Sequence, residues 1–202
     1  MPDRRTEILR AATRLIARRG VRGLRVGELA AAAGVSTSLI YYHFTDRAGI
    51  LRETLEFIGE RADRYTAEPE PGAPANDPWS ELAQALLLEL QDSTEVRENS
   101  TAWGELRASA VFESRLREDL ARATHTWVHE IAGLLGRAHP FGTAPAHAAS
   151  AERLTALLEG LSTRWLSGSL PLDRARSLLG EAIGTEIAGW RAERLPGRPD
   201  RP

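Results

Sequence analysis

Apolar residues recur every three or four positions along most of this chain, and strand-like alternation of apolar and polar residues is missing. The pattern is clearest in residues 4–19, where apolar side chains form one stripe of a helix and arginines surround it. The same spacing predicts further helices at residues 26–33, 36–43, 47–65, 79–92, 95–110, 113–137, 149–167 and 173–192. The pattern therefore predicts an all-α protein of about nine helices.

Glycine and proline mark the breaks between these helices. Gly20 and Gly34 end the first two helices, because glycine readily adopts the left-handed backbone of a helix C-terminus. Residues 68–78 read EPEPGAPANDP and are predicted to form a flexible loop, since proline cannot continue a helix interior. Residues 195–202 read LPGRPDRP and are predicted to be a disordered tail.

The composition favours a soluble protein of the cytoplasm. No apolar run approaches the roughly 18 residues that a membrane span needs. The N-terminus, MPDRRTEILR, is too charged to be a secretion signal. The chain has no cysteine, which excludes disulfides and thiolate metal sites.

The charge is unevenly distributed along the chain. The net charge of the whole protein is -2, yet residues 1–52 hold ten arginines against four acidic residues. A basic N-terminal region on an acidic remainder favours a module that binds an anion such as DNA. Chance clustering of solvated charges is the alternative that the charge alone leaves open.

Two short predicted helices meet at residues 34–36, which read Gly-Val-Ser. The glycine can adopt the left-handed conformation that a tight turn requires. Leu29, Val35 and Ile40 are apolar where two steeply crossing helices need a shared core. This spacing predicts a helix-turn-helix whose second helix enters a DNA major groove, and a helical hairpin without a DNA role is the alternative.

The segment GELAAAAGVSTSLIYYHFTDRAGIL, residues 27–51, resembles the N-terminal DNA-binding domain of TetR-type transcriptional regulators. That family typically shows a Gly-Val-Ser turn, a Leu/Ile-Tyr pair, a Tyr/His-Phe pair, a basic residue that opens the next helix, and a Leu pair. In this chain the matching residues are Gly34-Val35-Ser36, Ile40-Tyr41, His43-Phe44, Arg47 and Ile50-Leu51. The resemblance covers residues 4–55, because ILRAATRLIARRGVRGLRV is similar to the family's first helix.

The resemblance implies which side chains face DNA. It places Tyr41 and His43 at DNA-facing positions and Tyr42 at a position where an exposed aromatic is common. It gives the basic residue Arg47 a contact with backbone phosphate, and Arg25 is a candidate for the same contact. It also implies a core position for the phenylalanine at residue 44.

Three hydroxyl side chains lie at the start of the predicted recognition helix, where hydroxyls and free backbone N–H groups meet phosphate. They are Ser36, Thr37 and Ser38. The family more often has Lys or Arg in place of Thr37 and Gly in place of Ser38. These departures leave the base preference open.

The resemblance divides the chain into a helix-turn-helix domain at residues 1–46 and a helical body at residues 47–194 that binds an effector and dimerises. Residues 95–190 are also similar to BetI-like C-terminal domains, through STAWGELRASAVFESRLRE and ALLEGLSTRWLSGSLPLDRARSLLGEAI. A dimer is expected because two recognition helices must reach major grooves about 34–36 Å apart.

The last two predicted helices carry apolar stripes that are candidates for the dimer interface. Burial in the core of a single subunit is the alternative for each member. The candidates are Leu154, Leu158, Leu161, Leu179, Ile183, Ile187 and Trp190.

The candidate effector pocket combines aromatic and charged side chains of the body. Aromatic rings beside a buried carboxylate suit an organic cation. The candidates are Phe57, Arg61, Trp103, Arg107, Trp127, Glu159 and Trp165. For each tryptophan, ordinary burial in the core is the alternative.

One further pair has metal-ligand spacing. His125 and His129 are four residues apart on a predicted helix, a spacing that can chelate a metal. We interpret them as solvated side chains on a helix face, because no further ligand pattern such as HExxH accompanies them. We therefore predict no metal and no cofactor.

The leading hypothesis is a bacterial transcriptional repressor, associated with the nucleoid when bound to DNA. A dimer binds a palindromic operator, and a small-molecule effector releases it by shifting the fourth helix. An enzyme is disfavoured, because the chain contains no GxSxG or GxxxxGK[ST] motif and no cysteine. An effector-independent DNA-binding protein is the other alternative, which the long body disfavours, and an activator is not separated from a repressor.

Overall fold

The computed structural model describes residues 3–67 and 77–193. This described part contains nine α-helices and no strand, which confirms the all-α prediction. The helices are α1 Arg4–Arg19, α2 Val26–Ala33, α3 Thr37–His43, α4 Arg47–Ala67, α5 Pro78–Leu87, α6 Thr94–Ala110, α7 Ser114–Ala138, α8 Ala144–Leu166 and α9 Leu172–Glu193. A short 3-10 turn, Val21–Gly23, joins α1 to α2.

Two helix boundaries differ from the prediction by more than two residues. The helix α8 begins at Ala144 rather than at residue 149, because Thr143 caps it and proline is tolerated in the first turn of a helix. The helix α5 ends at Leu87 rather than at residue 92. There the guanidinium of Arg176 donates to the carbonyls of Leu87 and Leu90, over 2.9 and 2.8 Å, and so satisfies carbonyls at the helix end.

The predicted flexible loop and tail lie mostly outside the described residues. This holds for residues 68–76 and for the whole of residues 195–202. The last two loop positions are described and start α5. Asp77 caps that helix by accepting the N–H of Ser80 over 3.1 Å, and Pro78 is its first residue.

The described residues form two compact units. The first unit holds residues 3–67 and 91–127, and the second holds residues 77–90 and 128–193, so that α7 contributes to both. None of the helices in the described part is long and apolar enough to cross a membrane.

One hydrophobic core runs through the first unit. It draws fully buried side chains from five helices, namely Ile8, Ile16, Leu29, Ile40, Ile50 and Leu106. Each such burial contributes about 1.5–3 kcal/mol. The helix-turn-helix therefore shares its core with α4 and α6, and the functional boundary after residue 46 stays a prediction.

The second unit has its own core, in which α8 packs against α9. Leu82 and Leu86 of α5 are fully buried there. Three rings also pack together in this unit. The ring centroid of Trp190 lies 4.9 Å from that of His139 and 5.0 Å from that of His147. The second unit is thus packed by aromatic as well as aliphatic contacts.

Candidate nucleic-acid interface and ligand site

Gly34 forms the turn between α2 and α3. Its φ of 65° and ψ of 36° lie in the left-handed region that side-chain-bearing residues rarely adopt. Its N–H points to the carbonyls of Ala30 and Ala31, and the Val35 N–H donates to the Ala30 carbonyl over 3.0 Å. These bonds end α2 and lead the chain directly into α3.

Ser36 starts α3. Its Oγ accepts the N–H of Leu39 over 3.2 Å, which is an N-cap bond that stabilises a short helix. The hydroxyl that we expected at a phosphate therefore also caps the helix. Thr37 and Ser38, in the first turn, are exposed.

Two buried residues set the orientation of α3. Ile40 is fully buried and Phe44 is 1% exposed, as expected for core positions. Between them, Tyr41 is 54% and Tyr42 is 82% exposed, while His43 is half-buried. Large aromatic side chains that are exposed to solvent next to buried core residues are typical of a surface that binds a partner.

The two predicted phosphate contacts differ in their surroundings. Arg25 precedes α2, is exposed, and makes no capping bond to that helix. Arg47 instead donates from Nη2 to the Val21 carbonyl over 2.7 Å, and its Nη1 lies 3.7 Å from Glu113 Oε2. Arg47 therefore ties the start of α4 to the turn before α2, and Arg25 is the better placed candidate for phosphate.

Arg61, Glu95 and Asn99 form a polar group at the contact between α4 and α6, which we call the α4–α6 cluster. Arg61 Nε donates to Glu95 Oε1 over 2.9 Å, and the guanidinium lies 5.7 Å from the ring centroid of Phe57. Asn99 Nδ2 donates to the carbonyl of Ile58 over 2.9 Å. Arg61 is 5% and Asn99 is 1% exposed, so the cluster is buried except for the carboxylate.

Two polar atoms of this cluster lack a hydrogen-bond partner. Within residues 3–67 and 77–193, nothing bonds to Arg61 Nη1 or to Asn99 Oδ1, and both atoms are buried. Buried polar atoms in proteins are nearly always hydrogen-bonded, and an unpaired one costs about 1–3 kcal/mol. A buried donor and a buried acceptor that no described residue satisfies make this cluster a candidate ligand site.

A second group of predicted pocket residues joins α6 to α7. The rings of Trp103 and Trp127 meet edge to face at 6.2 Å. The guanidinium of Arg107 lies 5.6 Å from the Trp103 ring and donates to Thr124 Oγ1 over 3.1 Å. Five of the seven predicted pocket residues are therefore found in the first unit.

The other two predicted pocket residues, Glu159 and Trp165, are part of α8 in the second unit. Trp165 is 6% exposed and belongs to the core of that unit, and Glu159 is only half-buried. The assignment of these two residues to the pocket stays a prediction. Among the candidates, the buried charged group is the guanidinium of Arg61, because α6 presents its acidic partner from a half-exposed position.

The sequence interpretation missed Glu95, Asn99 and Thr124. A usable signal was present in α6, where residues 95, 99, 103 and 107 are spaced by four and place one polar or aromatic side chain on each turn. The amide of Asn99 was overlooked because asparagine in a helix is usually solvated. Only its contact with α4 makes it a buried group.

Six of the seven predicted interface residues are already buried within one chain. Leu154, Leu158, Leu161, Leu179, Ile183 and Trp190 are at most 7% exposed, and Ile187 is half-buried. An apolar side chain that has left water inside its own subunit gains little from a second copy. The six residues lie in the core between α8 and α9, which is the alternative that the sequence left open for them, and their role in an interface stays a prediction.

A polar group also lies at the contact between α8 and α9, and we call it the α8–α9 cluster. Glu186 accepts from Arg153 Nε over 2.7 Å, from Arg153 Nη2 over 2.8 Å and from Ser150 Oγ over 2.7 Å. The bond from Arg153 holds the pKa of the Glu186 carboxyl below its ordinary value, and it raises the pKa of Arg153. In the first unit, burial raises the pKa of the Asp63 carboxyl, and the nearby charge of Glu60 adds to the effect.

Family profiles match most of the chain. Residues 8–54 match the profile of bacterial regulatory proteins of the tetR family. Residues 79–188 match the profile described as BetI-type transcriptional repressor, C-terminal. The first match contains the Gly34 turn and α3, and the second contains α6, α8 and most of α9.

Individual proteins resemble the chain over different lengths. A TetR-family transcriptional regulator from Rhodococcus sp. has a solved structure with a TM-score of 0.85 and 44% identity, covering 93% of this chain and 100% of that one. A transcriptional regulator from Saccharomonospora viridis, solved in complex with choline, has a TM-score of 0.72 and 28% identity, covering 90% and 95%. The HTH-type transcriptional regulator AcrR of Shigella flexneri is 37% identical over 95 residues, and the match spans only 42% of its length and 45% of this chain.

Proposed function

The chain belongs to the TetR family of bacterial regulatory proteins, and from this we propose that it represses transcription in the bacterial cytoplasm. In this proposal a dimer binds a palindromic operator through two copies of α3. A small-molecule effector binds the body and lowers the affinity for the operator.

The observation that carries the DNA-binding proposal is the exposure of Tyr41 and Tyr42 on a helix fixed by buried Ile40 and Phe44. A recognition helix must present side chains to base edges while its other face stays anchored in the domain. The rings of Tyr41 and Tyr42 and the half-buried His43 meet this requirement. The proposed base-edge contacts are Tyr41 and His43.

Contacts to phosphate complete the proposed interface. Phosphate contacts fix the register of a protein on DNA and dominate the salt dependence of binding. We assign Arg25 to this role, with Thr37 and Ser38 as hydroxyl donors. Arg47 supports the interface through its bond to the Val21 carbonyl rather than by reaching out to DNA.

The dimer is proposed from geometry and not from the residues buried between α8 and α9. A single α3 reads one half-site, and a palindrome needs two. The exposed faces of α8 and α9 are the proposed contact. On α8 this face includes Leu157, which is 36% exposed, and Gly160, where an added methyl group would meet no other described side chain within 4 Å.

The proposed effector site is the polar and aromatic face of α6 together with the α4 residues that contact it. Support comes from the unpaired buried atoms of the α4–α6 cluster. The choline complex of the Saccharomonospora viridis regulator shows that a chain of similar fold accommodates a small molecule. The same helix α4 begins at the helix-turn-helix, so a ligand that prefers one position of α4 would bias the DNA-binding state.

The test of DNA binding uses the full chain and the DNA upstream of its own gene. Binding is measured at several salt concentrations for the wild type and for the Tyr41→Ala and Arg25→Ala variants. Loss of a phosphate contact in Arg25→Ala should weaken binding to all sequences and reduce the salt slope by about 1. Loss of Tyr41 should weaken specific binding more than non-specific binding, because only base-edge contacts read sequence.

The matched control is Arg137→Ala, which removes an exposed arginine of α7 that pairs with Glu81 at 2.6 Å. It should leave both the affinity and the salt slope unchanged. If Tyr41→Ala and Arg25→Ala bind the upstream DNA as the wild type does, α3 is not the reading helix and the proposal fails.

A further inference from the structure

The two unpaired atoms of the α4–α6 cluster lie along one helix contact. Arg61 meets Glu95, and Ile58, one turn earlier on α4, meets Asn99, one turn later on α6. Three to four residues of helix span about 5 Å, so the two contacts are neighbours on the same seam. We therefore treat the two residues as parts of one candidate site.

The orientation of the Asn99 amide is determined by its partner. The carbonyl of Ile58 can only accept, so Nδ2 and not Oδ1 must face it at 2.9 Å. The oxygen is then the atom left without a partner among the described residues. A ligand at this seam must offer a donor to Asn99.

The guanidinium of Arg61 has the opposite requirement. Its Nε is used by Glu95, while Nη1 is buried and unpaired within the described part of the chain, so a ligand must offer an acceptor there. Glu95 already balances the positive charge of Arg61 at 2.9 Å. A buried ion is costly unless it is paired, so this balanced pair favours a neutral ligand head over a charged one.

From these contacts we propose that the α4–α6 cluster binds the polar head of the effector, and that this head is a neutral group with an acceptor oxygen beside a donor, as in a carboxamide or a lactam. The oxygen accepts from Arg61 Nη1, and the N–H donates to Asn99 Oδ1. This inference rests on the proposed effector site and specifies its ligand chemistry. It disfavours organic cations, which would face the unpaired donor of a guanidinium.

The site has a reporter on the same helix. Trp103 follows Asn99 by one turn of α6 and packs edge to face with Trp127 at 6.2 Å. A ligand head at the cluster would place its apolar remainder near these rings. Tryptophan fluorescence of the full-length, DNA-free protein is therefore the readout of binding.

The experiment titrates four probes that share a benzene ring and differ in their head group: benzamide, benzoate, benzyltrimethylammonium and toluene. We expect benzamide to bind wild type at least tenfold more tightly than benzyltrimethylammonium or benzoate. Arg61→Met and Asn99→Leu should each weaken benzamide at least tenfold and leave toluene unchanged. Arg153→Met, which removes a guanidinium from the second unit, should leave benzamide unchanged.

Three results would overturn the inference. The first is tighter binding of the cation or of the anion than of benzamide. The second is a benzamide affinity that neither Arg61→Met nor Asn99→Leu alters, which would mean that buried water satisfies the two atoms. The third is the absence of benzamide binding to a folded wild type.

Folding and function are separated by two further measurements. The melting temperature of ligand-free Arg61→Met should be no lower than that of wild type, because the variant removes a buried donor atom that no described residue satisfies. Binding to the upstream DNA is measured first without any probe and then with each of the four probes. If the wild type does not bind this DNA, the repressor proposal fails, and the benzamide result is unaffected. If only cations release the protein from the DNA, the repressor proposal holds and this inference fails.

Discussion

The α4–α6 cluster of the first unit and the α8–α9 cluster of the second unit use the same residue types with opposite burial. In the α4–α6 cluster the arginine is buried and its acidic partner is exposed, with 6% of the Arg61 side chain and 52% of the Glu95 side chain accessible. In the α8–α9 cluster the arginine is exposed and the acid is the less exposed partner, with 58% of the Arg153 side chain and 17% of the Glu186 side chain accessible. Each pair also sits beside one buried neutral polar residue, Asn99 or Ser150.

The two clusters differ in how many hydrogen bonds the less exposed member of each pair makes. Glu186 accepts three hydrogen bonds, and Ser150 also accepts from Arg153 over 2.8 Å. Arg61 donates one bond to Glu95, and a buried atom of its guanidinium stays unpaired among the described residues. The α8–α9 cluster is thus a closed network suited to holding two helices together, and the α4–α6 cluster is an open one suited to a ligand.

The largest expected effect comes from removing the exposed acid of the open cluster. Glu95→Ala leaves Arg61 as a buried charge without an ionic partner, which should lower the free energy of unfolding by about 3 kcal/mol. Urea denaturation measures this change. Glu81→Ala is the control, because its pair with Arg137 is exposed on both sides and should contribute less than about 1 kcal/mol. Equal losses in the two variants would show that Arg61 is not buried as a charge.

The next largest effect comes from removing the exposed arginine of the closed cluster. Arg153→Met should lower the free energy of unfolding by about 1 kcal/mol, since Glu186 loses two charged hydrogen bonds that solvent partly screens. The loss stays below that of Glu95→Ala because Ser150 still donates to the carboxylate. A larger loss for Arg153→Met than for Glu95→Ala, in the same denaturation experiment, would reverse the comparison.

A smaller effect is expected from pH. The pKa of Glu186 is lowered in the folded state, so its contribution is complete above the pKa of the unfolded chain and is lost as the pH falls through the lower folded value. The contribution should be less than about 1 kcal/mol, because solvent screens a pair whose arginine is exposed. Denaturation of wild type and Glu186→Gln across the acidic range measures it. The stability difference between them should shrink as the pH falls, and a difference that grows would contradict the assigned direction.

The smallest effect is expected from removing the buried arginine of the open cluster. Arg61→Met leaves Glu95 in water and removes an unpaired buried donor, so the free energy of unfolding should change by less than about 0.5 kcal/mol. The double variant Glu95→Ala, Arg61→Met should recover most of the loss of Glu95→Ala, as a double-mutant cycle by denaturation will show. Additive losses would mean that the two side chains do not interact.

Patterns among neighbouring residues were enough to predict the helices and the turn between α2 and α3. The helical period located all nine helices of the described part, and the Gly34 turn with its Ser36 cap was visible because turn and cap chemistry depend on adjacent residues. Family resemblance over the same segment pointed to α3 as the surface for DNA. In both cases the deciding information lies within a few residues of the feature.

The sequence by itself determined the helices, the turn between α2 and α3, and the family, since each depends on short-range spacing or on a motif in register. Only the tertiary structure decided which side of each helix is buried against which neighbour. In the tertiary structure Leu154 and Leu179 are buried in the core of one subunit, and Arg47 donates to a backbone carbonyl. Asn99, which the helix pattern alone would leave at the surface, is buried with its Oδ1 unpaired among the described residues. These outcomes depend on residues far apart in the chain, such as Ile58 and Asn99, whose contact no local pattern encodes.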